Sequence, residues 1–408
     1  MTKNFKNLKA IFSPAVVVAA LGYFVDIYDL LLFNIVRISS LRDIGLTGQE
    51  LQMGAMLHNI QMSGMVIGGL LWGIMGDKKG RLSVLFGSII LYSAANLLNA
   101  FVQNFEQYAI LRLIAGIGLA GELGAGITLV AETLPAHLRG YGTLMVATIG
   151  VSGAVVAGIV GEIFDWRICY AIGGILGFLL LLLRVGVFES GMFTALMKKE
   201  TSRGNFLMFF HNPERFFRYL RCILIGIPIW CTIGILVAFG PEFGKAMGVV
   251  GEIKASRSIM FCYMGLIVGD FTSGYLSQVM ESRKKAVGIF LGILAVSIAI
   301  YLNLGPVPAE VFYAMIFSMG LGTGYWAVLV TIAVEQFGTN LRATAGTSVP
   351  NFVRGSVVPM SLLFLALKPT YGIIHSAAIT VTASMVFAAA GLFWMRETFG
   401  ADLNYLEK

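Results

Sequence analysis

The chain has 408 residues, of which 57% are apolar and 12% charged, and a net charge of +7. A soluble domain carries roughly 25% charged residues, so this composition excludes a globule in water. The apolar runs recur at the roughly 20-residue length that takes a helix across a ~30 Å bilayer core, and the short alternating segments of a transmembrane barrel do not occur.

The breaks between runs predict spans at 14–36, 51–75, 82–102, 107–134, 140–164, 167–188, 218–240, 256–280, 286–304, 309–335, 343–366 and 372–395. Ser13 and Pro14 mark the first start as N-cap and first helical residue. Thr47 and Glu50 have capping-box spacing before the second. Lys3, Lys6 and Lys9 precede the first run as in a signal peptide, but that run is too long and lacks a small-residue cleavage site. Of the 29 Lys and Arg residues, nineteen fall in the termini and the even-to-odd loops, seven in the opposite loops, and Arg112, Arg184 and Arg354 lie within spans. Basic loops stay in the cytoplasm, so both termini are expected there and the protein in the cell inner membrane. This sorting explains the net charge without nucleic acid. Cys169, Cys222, Cys231 and Cys262 lack metal-ligand spacing, and no hydrolytic or nucleotide-binding motif is present. No enzyme, metal site or cofactor is expected.

The polar, basic stretch 189–217 divides the chain into an N-terminal bundle (1–188) and a C-terminal bundle (218–408) of six helices each. Glu132 and Arg139 after the fourth span are matched by Glu335 and Arg342 after the tenth, at an offset of 203. Met75–Arg81 lies opposite Met280–Ala286 at an offset of 205. The similar offsets indicate an internal duplication. The expected fold is an all-α membrane protein of twelve transmembrane helices in two pseudo-symmetric six-helix bundles.

Gly73-Ile74-Met75-Gly76-Asp77-Lys78-Lys79-Gly80-Arg81 resembles the signature loop of the major facilitator superfamily, with Leu82 standing where a base is usual. Arg112-Leu113-Ile114-Ala115-Gly116-Ile117-Gly118-Leu119-Ala120-Gly121-Glu122 is similar to the family's fourth-helix pattern, and Asp165-Trp166-Arg167 to the motif before its sixth helix. The Glu-x₆-Arg pairs resemble those of its sugar-porter and organic-acid branches, and Asp26-Ile27-Tyr28-Asp29 resembles the first-helix motif of aromatic-acid/proton symporters. The resemblance implies a monomeric secondary transporter whose halves rock between inward- and outward-open states. It also implies a cytoplasmic gate formed by Asp77, Arg81, Glu132, Arg139, Glu335 and Arg342.

Ionisable groups inside spans are costly and mark function. Asp26 and Asp29 share a helix face near mid-depth, and Arg112 and Glu122 lie in the fourth span. These four are the candidate proton-coupling set: a carboxylate held by Arg112 in one state is released to take a proton in the other, with Asp29 favoured for its depth. The alternative is a static ion pair. Arg354, beside Asn351, is a candidate for binding a substrate carboxylate, or else pairs with Asp270 or Glu122. Asn59 and Gln61 are further polar candidates, while the neighbouring His58 is read as packed or hydrogen-bonded. Tyr23, Tyr28, Trp230, Tyr325 and Trp326 either line a cavity or form an interfacial belt. The glycines at 64–73, 116–126 and 150–161 have small-xxx-small spacing for close helix contact. Gly150, Gly153, Gly158 and Gly161 occur without the proline of family antiporters, which favours proton-coupled uptake. The expected substrate is a small metabolite bearing a carboxylate, with a sugar or polyol as the alternative. Drug efflux or a non-transporting sensor ranks below both.

Overall fold

The computed structural model describes residues 12–135, 139–184, 205–338, 340–401, 405 and 407. The first half comprises α1 (Pro14–Asp43), α2 (Glu50–Lys79), α3 (Arg81–Asn99), α4 (Phe105–Leu119), α5 (Glu122–Thr133), α6 (Arg139–Ile163) and α7 (Trp166–Leu183). A single turn, α8 (Met208–His211), precedes the second half. That half comprises α9 (Pro213–Cys231), a π-helical turn (Thr232–Val237), α10 (Gly240–Met247), α11 (Ala255–Val279), α12 (Arg283–Leu302), α13 (Ala309–Thr323), α14 (Trp326–Glu335), α15 (Arg342–Gly355) and α16 (Val357–Trp394).

Ten described helical segments are long and apolar enough to cross a membrane. One of them, Arg342–Trp394, is 53 residues long and holds two crossings, because Gly372 at φ 71° reverses the chain inside α16. Only glycine adopts that backbone cheaply. The polar α2 adds a 30-residue helix, about 45 Å at 1.5 Å per residue. The result is twelve crossings, with the side chains of Leu71, Phe101, Leu182 and Phe393 among the exposed apolar exterior. The seventh crossing begins at Pro213, which caps with Asn212, five residues before the expected start.

Local signals explain several ends. Asn104, Asp165, Asn212 and Ser282 each accept a backbone N–H in the first turn of the helix they start. The Thr47/Glu50 capping box does not form: Gln49 holds the N-cap position, and Glu50 pairs with Arg42 at 2.7 Å instead. Arg167 stacks on Trp166 and donates to the carbonyls of Ala100 and Val102, both at 3.0 Å. Arg167 also pairs with Asp43 at 3.0 Å, so the motif before the sixth crossing clips together three loops of the first half.

The fourth crossing of each half is broken. The first breaks between Leu119 and Glu122, the second between Thr323 and Trp326. Gly121 and Gly324 sit in the two breaks; a Cβ on Gly324 would lie 2.3 Å from the Cα of Gly269. The halves meet along a seam in which α2 packs on α15 and α6 on α11. We call the end bearing Pro14 and Trp394 the near face and the opposite end the far face.

Candidate functional site

The seam is polar along its length, and its contacts fall in layers. At the near face, Asp77 lies in the last turn of α2 and points at the start of α15. Its Oδ2 accepts from the Thr344 backbone N–H at 3.0 Å and from the Thr344 hydroxyl at 2.6 Å. A carboxylate at a helix N-terminus is favoured by the unsatisfied amides there. Arg81 holds Asp77 from behind at 3.7 Å and pairs with Glu132 at 2.8 Å. In the second half, Glu335 pairs with Arg283 at 3.1 Å. Arg283 is thus the working counterpart of Arg81, 202 positions on, whereas matching the loops by their methionines puts Ala286 there. Arg342 is buried at the start of α15. The side chain of Arg139 lies outside the described residues.

One layer inward, Asn351 donates to the carbonyl of Ala120 at 2.8 Å, so a second-half side chain reaches the break in the first half's fourth crossing. Next comes the centre. Arg354 and Asp26 face each other across the seam, Nη2 to Oδ2 at 3.7 Å, with both side chains fully buried. The guanidinium lies over the rings of Trp230 and Trp326, at 5.5 and 5.6 Å from their centroids. Trp326 Nε1 donates to the Tyr23 hydroxyl at 3.1 Å. A small cavity of about 10 Å³ is lined here by Tyr23, Ile27, Trp230, Ile233, Tyr263 and Trp326. That is space for about one water, so the halves are drawn together at this level. Two cation–π contacts and an opposed carboxylate are a means of holding a guanidinium out of water.

The far side of the seam is closed as well. Ser361 donates to Asn59 Oδ1 at 2.7 Å. Arg37 pairs with Glu242 at 2.6 Å while stacking on Phe239, and Arg257 pairs with Glu162 at 2.9 Å.

The remaining candidates sit inside one half or the other. Arg112 does not meet Asp26. It donates to Asn96 at 2.8 Å and Gln61 at 3.4 Å, and lies over the rings of Phe33 and Tyr170. Asp29 is buried against Gly173, and among the described residues no cation lies within 4 Å of its carboxylate. Glu122 pairs with Arg184, both fully buried, and Arg184 also donates to the Leu85 carbonyl. The chain passes directly over this pair: a Cβ on Gly22 would collide with both side chains. Asp270 accepts from the Ala327 N–H at 3.0 Å and so caps α14 at the second break. Arg354 therefore pairs with neither Asp270 nor Glu122. Tyr28 donates to the Cys169 carbonyl and Tyr325 to the Ile225 carbonyl, each within its own half, and neither lines the central cavity. Gln61 bridges Arg112 and the Leu30 carbonyl in the first half.

Sequence reasoning missed Arg37, Glu242, Arg283 and the role of Arg184. The signal for Arg184 was available, since a cation within a span requires an acid. His58 takes the packed of its two expected roles: it is buried, and among the described residues neither ring nitrogen has a hydrogen-bond partner.

Twelve crossings in two related halves, with a charged seam closed at both faces and a paired cation at the centre, define a polytopic membrane carrier. The profile of the Major Facilitator Superfamily matches residues 19–361, and the chain belongs to that family. It is a multi-pass membrane transporter, not an enzyme. A Haemophilus influenzae chain named for metabolite transport is 28% identical over 359 residues, covering 83% of this chain and 85% of that one. The 3-(3-hydroxy-phenyl)propionate transporter of Escherichia coli is 27% identical over 319 residues, 74% of each chain. Among solved structures, the proton:xylose symporter XylE bound to 6-bromo-6-deoxy-D-glucose superposes with a TM-score of 0.73 at 17% identity, covering 97% of this chain and 98% of that one. At that identity the likeness bears on the fold alone.

Proposed function

We propose that the chain takes up a small carboxylate-bearing metabolite together with a proton by alternating access, with both termini in the cytoplasm. The observation that carries this reading is the Asp26–Arg354 pair, which spans the seam between two tryptophans. Rocking of the halves about the seam must change this pair, because its two members belong to different bodies. Depth alone favours Asp29 as the carrier, but Asp29 sits wholly within the first half, so rocking leaves its neighbours in place.

In the proposed cycle Asp26 and the substrate carboxylate compete for Arg354. Protonation of Asp26 removes its charge and frees the guanidinium for a charge-assisted bond to substrate. Return of the proton to the cytoplasmic side re-forms the internal pair and expels the carboxylate. The rings of Tyr23, Trp230, Tyr263 and Trp326 suit a planar or aromatic acid, in keeping with the aromatic substrate that names the Escherichia coli relative. A neutral sugar could accept hydrogen bonds from Arg354 but would leave its buried charge uncompensated once Asp26 is protonated.

The gate reading of Asp77, Arg81, Glu132, Glu335 and Arg342 belongs to the same proposal, as the near-face closure that opens in the inward state. No cofactor beyond the coupling proton is required, and the bilayer and the substrate are the only partners invoked. The test is uptake of radiolabelled carboxylates into proteoliposomes under an imposed pH gradient. Asp26→Asn should abolish accumulation against a gradient while leaving counterflow exchange. Undiminished pH-driven uptake by that variant would overturn the coupling role. Unchanged carboxylate binding by Arg354→Ala would overturn the carboxylate site.

A further inference from the structure

The layer immediately outward of Arg354 holds the residue that the transport cycle above leaves unused. His58, on α2 of the first half, is 97% buried, and among the described residues neither Nδ1 nor Nε2 has a hydrogen-bond partner. It faces the second half across the seam. A Cβ placed on Gly234 would lie 3.2 Å from His58 Nε2 and 2.9 Å from Val357. Gly234 is thus the position that lets the imidazole reach the opposing backbone. It lies in the π-helical turn Thr232–Val237, where Ala238 N–H bonds to the Ile233 carbonyl five residues back. Such turns interrupt regular helices at functional positions. Within the same turn, the Thr232 hydroxyl is buried with no hydrogen-bond partner among the described residues, and Ile233 lines the central cavity. At this level the Ser361–Asn59 bond also crosses the seam, and the Arg37–Glu242 pair seals it further outward.

An unbonded imidazole in such a place is expensive, since a buried polar group without a partner loses its hydration for nothing. Gly234 follows Trp230 by four residues, one helical turn, or ~6 Å along the axis. The imidazole therefore stands about one turn beyond the ring that carries the Arg354 guanidinium. That is roughly the separation between the carboxylate of a one-ring acid and a hydroxyl on the far side of its ring.

We propose that His58 is a specificity-determining substrate contact, hydrogen-bonding a polar substituent at the end of the ligand opposite its carboxylate. The inference rests on the carboxylate reading of Arg354. Together the two groups set the ligand length: guanidinium at one end, imidazole at the other, aromatic walls between. A ligand with a hydroxyl at that position satisfies His58, and one lacking it leaves the ring unpaired. Sites built to bond a hydroxyl discriminate strongly against the analogue without it.

The experiment uses the full-length protein purified in detergent, with 4-hydroxybenzoate and benzoate as probes, and binding read by isothermal titration. The native protein should bind both, the hydroxy acid at least tenfold more tightly. His58→Ala should erase that preference while leaving benzoate affinity unchanged, and His58→Gln, which keeps a donor and an acceptor, should restore part of it. If His58→Ala weakens both probes equally, or neither, the specificity role is overturned while the carboxylate site stands. If the native protein binds neither probe, the one-ring carboxylate reading itself fails and this inference with it. Circular dichroism melting of His58→Phe, which keeps the ring volume, separates loss of contact from loss of fold: an unaltered melt with lost preference supports the contact, and an unaltered preference overturns it.

Discussion

Two fully buried ion pairs lie within the bundle, and they differ in what they join. Glu122 and Arg184 belong to α5 and the end of α7, both in the first half, and are in tight contact. Asp26 and Arg354 belong to different halves and stand 3.7 Å apart, the arginine resting on two tryptophans. The first pair moves as part of one rigid bundle, so nothing in a rocking cycle separates it. The second is separated by any rotation about the seam. Buried pairs repay their desolvation only with good geometry, so a tight pair suits a fixed scaffold and a loose one suits a contact that must be exchanged.

The largest expected effect comes from breaking the scaffold pair. Glu122→Ala should leave Arg184 uncompensated and cost about 3–5 kcal/mol in stability. Chemical denaturation of the purified protein reads this. The double variant Glu122→Leu/Arg184→Met should recover most of the loss. If Glu122→Ala instead melts like the native protein and abolishes coupling, the two pairs have exchanged roles.

Breaking the seam pair should do less to the fold and more to transport. Asp26→Asn keeps the shape and leaves Arg354 on its tryptophans, so its stability loss should be smaller than that of Glu122→Ala by about 2 kcal/mol. Accumulation against a gradient should nonetheless be lost.

A smaller effect is expected at the near face. Thr344→Val removes the hydroxyl that donates to Asp77 but keeps the backbone donor. The loss of about 1 kcal/mol should shift the balance of open and closed near faces roughly fivefold. The rate of alkylation of a cysteine introduced at Thr347, in a variant free of native cysteines, would measure it.

The smallest effect concerns an acid outside the membrane. Burial works against the Glu397 carboxylate, but the Ser282 hydroxyl and the backbone N–H groups of Phe399, Arg283 and Thr398 hold it below the usual carboxylate range. A depressed folded-state value means that its stabilisation is full above the unfolded value of about 4.3 and fades as pH falls through the folded one. Melting temperature should therefore be insensitive to Glu397→Gln in slope between pH 7 and 5. Below about pH 4 only the native chain should lose this contribution.

The crossings and the duplicated halves were legible because apolar runs and basic loops are written directly in composition. The Glu132 and Glu335 positions were legible for the same reason, as both end a span at the same repeat position. The pairing of charges was not. Depth along a helix can be counted, but which acid meets which arginine depends on helix rotation and on how the halves dock, and hydropathy encodes neither. That is why Arg354 was set against Asp270 or Glu122 when its partner is Asp26. Loop register misled in a second way: the methionine match at offset 205 hid the Arg81 and Arg283 correspondence at 202, although the breaks after Leu119 and Thr323 are 204 apart.

The tryptophan cradle around Arg354 has an optical consequence. Two of the chain's five tryptophans, Trp230 and Trp326, flank the central guanidinium, and Trp326 is tied through its indole N–H to Tyr23 of the other half. Indole emission responds to neighbouring charge and to water. Opening of the seam, or exchange of Asp26 for another anion, would therefore alter the fluorescence of the unlabelled protein. The molecule carries a native reporter at the point where its two halves are joined.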